Sequence, residues 1–248
     1  MTLKILTFNI RYDIHHDGPN CWEFRRDRVI ELVREQKADI VGFQEALPHQ
    51  REDLERALST YQMIGQGRDR DGGGEECTLA FSRDFDLQDF GTFWLSPEPA
   101  QPGSIGWDAM LTRICTWAQV SYRGQQLSVF NAHFDHHGKE APAKSAEMIL
   151  ERMQELEHPH LLMGDFNSRP NSEALKVLKA RLRDSFEAVH PGDSTGTYHE
   201  YGKVEPYRID YLMMSPHWEI LDCRILHQSQ GPYPSDHFPV LGEYRLTY

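Results

Sequence analysis

The sequence predicts an α+β fold, in which helices and strands mix without a strict strand–helix–strand alternation. Apolar residues at helical spacing and short β-rich apolar runs occur along the same chain. The strand-like segments 114–122 and 125–133 are separated only by Arg123 and Gly124, which favours an antiparallel hairpin. No low-complexity tract or Ser/Pro-rich linker divides the 248 residues, so we expect one domain that spans 1–248.

Strands are predicted where short runs rich in β-branched and aromatic residues are bounded by polar or turn-forming residues. The opening run, 3–10, and the run at 161–163 have the length and apolar character of buried strands. In chain order, the predicted strands are 3–10, 40–43, 78–81, 85–93, 114–122, 125–133, 161–163, 208–214, 219–226 and 240–246.

Apolar residues that recur every three or four positions predict four helices. Pro48 fits the first turn of the second helix, where a missing amide hydrogen is tolerated, and Ser172 is a suitable cap for the fourth. The predicted helices are 24–36, one that begins at Pro48, 143–156 and 172–180.

Two segments have neither periodicity and are predicted loops. Residues 66–76 are Gly-rich and charged, which indicates a flexible loop. Residues 96–111 are rich in proline and glycine, and a loop of that length in a compact domain is often functional. We therefore expect Trp107, which lies in the second loop, to contact a substrate.

Charge and composition restrict the classes of partner. The chain has 38 acidic and 26 basic residues, a net charge of −12, which argues against a broad non-specific grip on nucleic acid. Apolar runs are far shorter than the ~18 residues that a membrane span needs. Residues 1–20 lack a signal-peptide pattern. We expect a cytoplasmic monomer without a membrane span.

Polar residues collect at the ends of six predicted strands. A carboxylate, carboxamide or imidazole is costly at such a position unless it is paired or used. Any one of them alone would be interpreted as a cap, a turn former or a satisfied core histidine, but six together favour a functional site. These residues are Asn9, Glu45, His133, Asp165 with Asn167, Asp210, and Asp236 with His237.

The residue types favour metal-assisted hydrolysis of a phosphoester. Oxygen donors without a cysteine ligand suit Mg²⁺ or Mn²⁺ better than zinc. Asp210 and His237 could form a carboxylate–imidazole pair that stabilises the protonated ring, and His133 offers a second imidazole. Since no nucleophilic serine or cysteine motif is evident, the pattern predicts attack by water.

Six short motifs also resemble, in order, those of the endonuclease/exonuclease/phosphatase superfamily, which has the DNase I-like fold. The resemblance spans residues 5–240, and segments 91–96, 106–108 and 113–118 are similar to a bacterial branch close to the CCR4/nocturnin-like proteins. The motifs are TFN at 7–9, GFQEA at 42–46, NAH at 131–133, GDFN at 164–167, RIDY at 208–211 and SDHFPV at 235–240.

The resemblance implies a four-layer α/β/β/α sandwich of two packed mixed sheets, with the site at one edge. It implies that Glu45 binds the metal, with Asn9 and Asp236 close to it. It also implies that Asp165 and Asn167 orient water and phosphate, and that His133 lies beside the scissile phosphate. Asp210 and His237 correspond to the carboxylate–histidine pair of the family.

Arg11 departs from some DNA-repair members, which carry aspartate at that position, and this weakens an abasic-site endonuclease hypothesis. We expect Arg11 and Arg113 to contact the substrate; Arg68, Arg169 and Arg208 also lie in or beside the motifs. The expected function is a phosphodiesterase or nuclease that acts on a phosphate ester such as a nucleotide or a short or single-stranded nucleic acid. The alternatives are a phosphatase for sugar, nucleotide or inositol phosphates, and a catalytically silent binding protein on the same scaffold.

Overall fold

The computed structural model of the protein describes residues 2–227 and 232–247. Within these ranges the chain forms twelve strands and five α-helices. In chain order they are β1 (Thr2–Asn9), α1 (Trp22–Gln36), β2 (Ile40–Gln44), α2 (Pro48–Ala57), β3 (Tyr61–Ile64), β4 (Leu79–Ser82), β5 (Phe85–Trp94), β6 (Ile114–Tyr122), β7 (Gln125–His133), α3 (Ala141–Met153), β8 (His160–Asp165), α4 (Glu173–Lys179), β9 (Arg183–Asp184), α5 (Ser185–Val189), β10 (Asp210–Met214), β11 (Trp218–Ile225) and β12 (Val240–Leu246).

The strands form two mixed six-stranded sheets, with the orders β11–β12–β1–β2–β4–β3 and β5–β6–β7–β8–β10–β9. β1 and β2 are parallel, and so are β7 and β8, while the other pairs are antiparallel. The carboxyl ends of each parallel pair therefore meet at one edge of their sheet. β10 runs antiparallel to β8 and starts at that edge, with Asp210 opposite Asp165.

The two sheets pack face to face and helices cover their outer faces. Ile5 of the first sheet and Val129 of the second belong to one buried cluster between the sheets. The next residue of β1, Leu6, points outward and packs with Val29 and Val33 of α1, as the alternation of side chains along a strand requires. On the other side, α3 and α4 cover the second sheet. The four-layer α/β/β/α architecture is confirmed.

A polar network joins the sheets directly below the strand ends. The amide nitrogen of Gln44 donates to Asn131 Oδ1 (2.7 Å) and to Thr7 Oγ1 (3.1 Å). Asn131 in turn donates to the carbonyl oxygens of Phe43 and of Thr78, both at 2.9 Å. Since these side chains are buried, the network fixes the relative position of the two sheets at the edge that carries the polar residues.

Two glycines permit the close approaches that this arrangement needs. A Cβ atom at Gly42 of β2 would collide with the Met163 side chain of β8, across the interface between the sheets. Gly164, which directly precedes Asp165, has φ 143°, and a Cβ atom there would collide with the Ala132 carbonyl oxygen. Glycine at both positions lets the two sheets and the β7–β8 pair come together beside the site.

The predicted hairpin of β6 and β7 is confirmed, and the remaining differences concern short elements and helix ends. β3, β9 and α5 were not predicted because they have four, two and five residues, too few to show a period. α3 begins at Ala141 with Pro142 in its first turn and ends at Met153, earlier at both ends than predicted. No helix in residues 2–227 or 232–247 is long and apolar enough to cross a membrane.

Candidate active site

The strand ends converge on one cavity of about 590 Å³. Of the eleven site residues predicted from the sequence, eight line this cavity. Asn9 and Asp210 do not line it but form hydrogen bonds with the lining residues Glu45 and His237, respectively. The half-buried Trp107 does not line it, although Leu111 of the same loop does. The eight that line the cavity are Arg11, Glu45, Arg113, His133, Asp165, Asn167, Asp236 and His237.

Three of these residues have a left-handed backbone. Arg11 (φ 57°), Glu45 (φ 64°) and Asn167 (φ 46°) each follow the last residue of a strand by one or two positions. The conformation costs a non-glycine residue about 1–2 kcal/mol. Strain of this kind concentrates at functional sites, because the turn redirects a side chain that the strand would have pointed elsewhere.

Asn9 holds two carboxylates in place. Its side-chain nitrogen Nδ2 donates to Glu45 Oε1 and to Asp165 Oδ2, both at 3.0 Å, and its side-chain oxygen Oδ1 accepts from the Arg11 backbone amide at 2.9 Å. Glu45 Oε2 accepts from the amide of Tyr12 at 3.0 Å. Burial acts to raise the pKa of Glu45, but the Arg11 charge and these hydrogen bonds outweigh it and lower the pKa. This environment favours the ionised form of Glu45, which is the form that can bind a cation.

Four carboxylates, those of Glu45, Glu75, Asp165 and Asp236, share the cavity wall. Burial and the charge of Asp210 raise the pKa of Asp165 to about 7, and burial and the charge of Glu45 raise the pKa of Glu75 to about 7. Burial also raises the pKa of Asp236. A divalent cation would relieve this crowding, and an oxygen-rich donor set fits Mg²⁺ or Mn²⁺. The side chains present therefore fit the metal that the sequence predicts.

The environment of His237 favours the protonated imidazole. Its Nδ1 lies 2.9 Å from Asp210 Oδ2, and its Nε2 lies 3.8 Å from Asp165 Oδ2. Burial alone would lower the pKa of the ring, but the Asp210 carboxylate outweighs burial and raises the pKa of His237 to about 10. The predicted pairing of Asp210 with His237 is present in the structure.

His133 has the opposite environment. Its Nδ1 lies 2.9 Å from a guanidinium nitrogen of Arg113, and its Nε2 lies 3.0 Å from the Asn167 amide nitrogen. Burial and the Arg113 charge hold the pKa of His133 well below its usual range. Three histidines line the cavity, and their environments differ: that of His237 raises the pKa and favours the charged ring, whereas those of His133 and His136 lower the pKa.

Glu75 is a residue of the site that the sequence did not single out. It lies in the segment 66–76, where the Arg68 guanidinium contacts both Glu75 oxygens (2.7 and 2.9 Å) and the Arg68 amide donates to the Glu75 carbonyl. The predicted flexible loop is instead a hydrogen-bonded turn. Gly72 (φ 84°) and Gly74 (φ 77°) supply left-handed positions for it, so the glycine run that suggested flexibility encodes a tight turn.

Two tyrosines complete one wall of the cavity. Tyr198 and Tyr207 pair through an isolated β-bridge, and the Tyr198 ring lies 5.0 Å from the His237 ring. They belong to a stretch without an α-helix or a β-strand, which gave no periodic signal in the sequence. The exposed Arg169 places its guanidinium 4.4 Å from the centre of the Tyr207 ring.

Two further arginines that lie in or beside the motifs differ in position: Arg68 lines the cavity and Arg208 does not. Arg68 lies there with Arg11 and Arg113. Arg208 is buried and forms two hydrogen bonds with Asp184, at 2.7 and 2.9 Å.

The chain matches the model of the Endonuclease/Exonuclease/phosphatase family over residues 6–237. A family protein from Bacteroides vulgatus is 33% identical, with a TM-score of 0.94 and 100% of both chains covered. A mannosyl-6-phosphatase from Bacteroides thetaiotaomicron is 32% identical, with a TM-score of 0.89 and 99% of this chain and 100% of that chain covered.

The human Nocturnin catalytic domain shares the fold at 21% identity, with a TM-score of 0.79 and 99% of this chain and 94% of that chain covered. No curated protein matches the chain. The motif order predicted the same family, and the arrangement of strand ends around one acidic cavity agrees with it. The chain belongs to the endonuclease/exonuclease/phosphatase family.

Proposed function

We propose that the protein is a divalent-metal-dependent phosphoester hydrolase that acts on small phosphomonoesters, with sugar phosphates as the first class to test. The observation that carries the proposal is the cavity, which is lined by three guanidinium groups, four carboxylates and the His237 imidazole, whose pKa is raised to about 10. Cations suit the phosphate of a substrate, and carboxylates suit a metal ion and the activation of water.

The choice of a monoester rests on the charges of the cavity and of the whole chain, and on one relative. The terminal phosphate of a monoester carries close to two negative charges at neutral pH, and Arg11, Arg68 and Arg113 all reach the cavity. Within residues 2–227 and 232–247, no carboxylate oxygen lies closer to the Arg113 guanidinium than 3.8 Å, so much of its charge is available to a ligand. The net charge of −12 opposes a long polyanion. The 32% identical relative described as a mannosyl-6-phosphatase supports a sugar phosphate.

In the proposed mechanism, a divalent cation held by Glu45 and Asp236 would polarise a phosphoryl oxygen and neutralise part of its charge. Asp165, with its pKa near 7, accepts a proton from water, and Asn167, whose amide donates to Asp165 Oδ1 at 2.9 Å, helps to orient the reacting groups. His237 stabilises the charge that develops on the phosphoryl oxygens. As the new P–O bond forms, the P–O bond to the leaving oxygen breaks, and that oxygen takes a proton from solvent. Arg113 and His133 donate hydrogen bonds to the phosphate from the other side.

The proposal is tested by phosphate release from a hexose 6-phosphate, compared with cleavage of bis(p-nitrophenyl) phosphate and a single-stranded oligonucleotide. Each substrate is assayed with Mg²⁺, with Mn²⁺ and with a chelator. We expect the hexose phosphate to have the highest kcat/KM and the chelator to abolish turnover. Higher kcat/KM on the oligonucleotide or the diester would favour the phosphodiesterase hypothesis instead. No turnover of any substrate would favour a silent binding protein.

The Asp210–His237 pair predicts a specific pH dependence. His237 is protonated below its pKa of about 10, so the rate should fall as the pH rises through that value. Asp210→Asn removes the carboxylate that raises the pKa, so the alkaline limb of the kcat profile should move towards the ordinary value of 6.5. NMR titration of His237 in both proteins measures the shift directly. The same pKa in wild type and variant would remove this pair from the mechanism.

A further inference from the structure

Arg25, on α1, is a fully buried arginine outside the cavity. Its guanidinium donates to four backbone carbonyl oxygens, which belong to Asn20, Ile10, Arg11 and Pro234. Within the described residues it forms no ion pair with a carboxylate. A buried charge that lacks a charged partner is costly, and burial lowers the pKa of Arg25. The free-energy cost of burying this charge suggests that the four hydrogen bonds of Arg25 serve a purpose other than stability.

The four carbonyl groups come from three segments, and two of these carry site residues. Ile10 and Arg11 follow β1, just after Asn9, whereas Pro234 directly precedes the Ser235–Asp236–His237 motif. Ser235 adds a second link between the same two segments, since its hydroxyl donates to the Asn9 carbonyl at 2.7 Å. One guanidinium thus joins the segment that carries Arg11 to the segment that carries Asp236 and His237.

The backbone of Arg11 shows what this link achieves. Arg11 has the left-handed φ of 57°, a conformation that an L-residue avoids without outside support. Arg25 donates to the carbonyl groups of Ile10 and Arg11, which lie directly before and after the Arg11 Cα atom. In that conformation the Arg11 side chain lines the cavity, with its Nε 3.0 Å from Asp17 and 3.8 Å from Asp236.

We propose that Arg25 is a positioning residue that acts through Arg11: by holding the left-handed turn after β1, it places the Arg11 guanidinium where the substrate phosphate binds. The inference rests on the proposed phosphoester hydrolysis. Arg25 itself touches no substrate. Lysine cannot replace it, because one ammonium group cannot reach four carbonyl oxygens spread over three segments.

The test is a double-mutant cycle between Arg25→Lys and Arg11→Gln, read as KM for the hexose phosphate and as Kd for inorganic phosphate by calorimetry. Each single variant should raise KM and Kd by about tenfold, the cost of one charge-assisted hydrogen bond. Arg25→Lys in the Arg11→Gln background should then change both constants by less than about twofold, because the residue through which it acts is gone. kcat should change less than KM in all three proteins.

Arg34→Lys is the matched control, since Arg34 also lies on α1 and donates to one carbonyl, that of Ala57, away from the cavity. It should leave KM and Kd at wild-type values. If Arg25→Lys does not fold, Arg25→Gln, which keeps two donors without a charge, takes its place in the cycle. Losses that multiply in the double variant, or a loss confined to the melting temperature, would overturn the role of Arg25. An inactive wild type would overturn the proposed function instead, while the phosphate-binding cycle would still decide the inference.

Discussion

Asp165→Asn is expected to lower kcat by about 10²–10⁴-fold, the contribution typical of a positioned general base. Asparagine has the same shape but cannot take a proton from water. The fold should persist, because the variant removes a buried carboxylate that is crowded by Asp210 and whose pKa is already raised to about 7. Steady-state kinetics at pH 8, combined with thermal unfolding, separate the loss of chemistry from a loss of structure.

Asp39→Asn is the matched control for this experiment. Asp39 also has a raised pKa because of burial, and it accepts a hydrogen bond from the Lys4 amide at 2.7 Å, near the end of β1 that is remote from Asn9. Its substitution should leave kcat unchanged. If Asp165→Asn unfolds, or if kcat falls by less than tenfold, Asp165 serves as a structural cap for the turn at Asn167 rather than as the base.

Glu45→Gln is expected to weaken Mg²⁺ binding by on the order of 10- to 100-fold, the range for one charge-assisted contact, and to lower the rate at fixed Mg²⁺ accordingly. Glutamine keeps an oxygen but loses the negative charge that Arg11, Asn9 and Tyr12 stabilise in the wild type. Isothermal calorimetry with Mg²⁺ alone measures the first effect without any substrate. Excess Mg²⁺ should restore part of the activity.

The control for Glu45 is Glu243→Gln on β12, which removes a carboxylate that pairs with Lys4 and Arg224 far from the cavity. It should bind Mg²⁺ as the wild type does. Unchanged Mg²⁺ affinity in Glu45→Gln would move the metal to the other carboxylates of the wall, with Glu75 as the first candidate because a ligand atom of Glu75 lies within 4.8 Å of one from Glu45.

The sequence predicted most of the site because its residues stand at strand ends. Asn9, Glu45 and Asp165 each end or directly follow a buried strand, and parallel pairing brings such ends together whatever the details of the loops. The apolar runs predicted the strands, and the polar residues at the strand ends predicted which edge of the sheets carries the candidate site. That reasoning required no knowledge of the intervening turns.

The cavity residues that the sequence did not predict lie in segments without the apolar periodicity of a helix or a strand. Glu75 is placed by a glycine turn and by its pairing with Arg68, and Tyr198 is placed by an isolated bridge to Tyr207. Neither contact belongs to a helix or a regular strand pair, so the composition of each segment suggested only a loop. Trp107 was expected to contact substrate because its loop is long. The structure instead uses the neighbouring Asp108, which accepts hydrogen bonds from the amides of Lys139, Glu140 and Ala141 at the start of α3.

The central claim is that water attacks phosphorus in this cavity with the help of a divalent cation, and hydrolysis in ¹⁸O-labelled water tests it most directly. Wild-type protein is incubated with a hexose 6-phosphate and Mg²⁺ or Mn²⁺, and both products are analysed by mass spectrometry, with the Asp165→Asn protein as the background. The account predicts one ¹⁸O atom in each released phosphate, none at the C6 oxygen of the sugar, and no release after chelation. Label at the C6 oxygen, or phosphate release that persists without the metal, would contradict it.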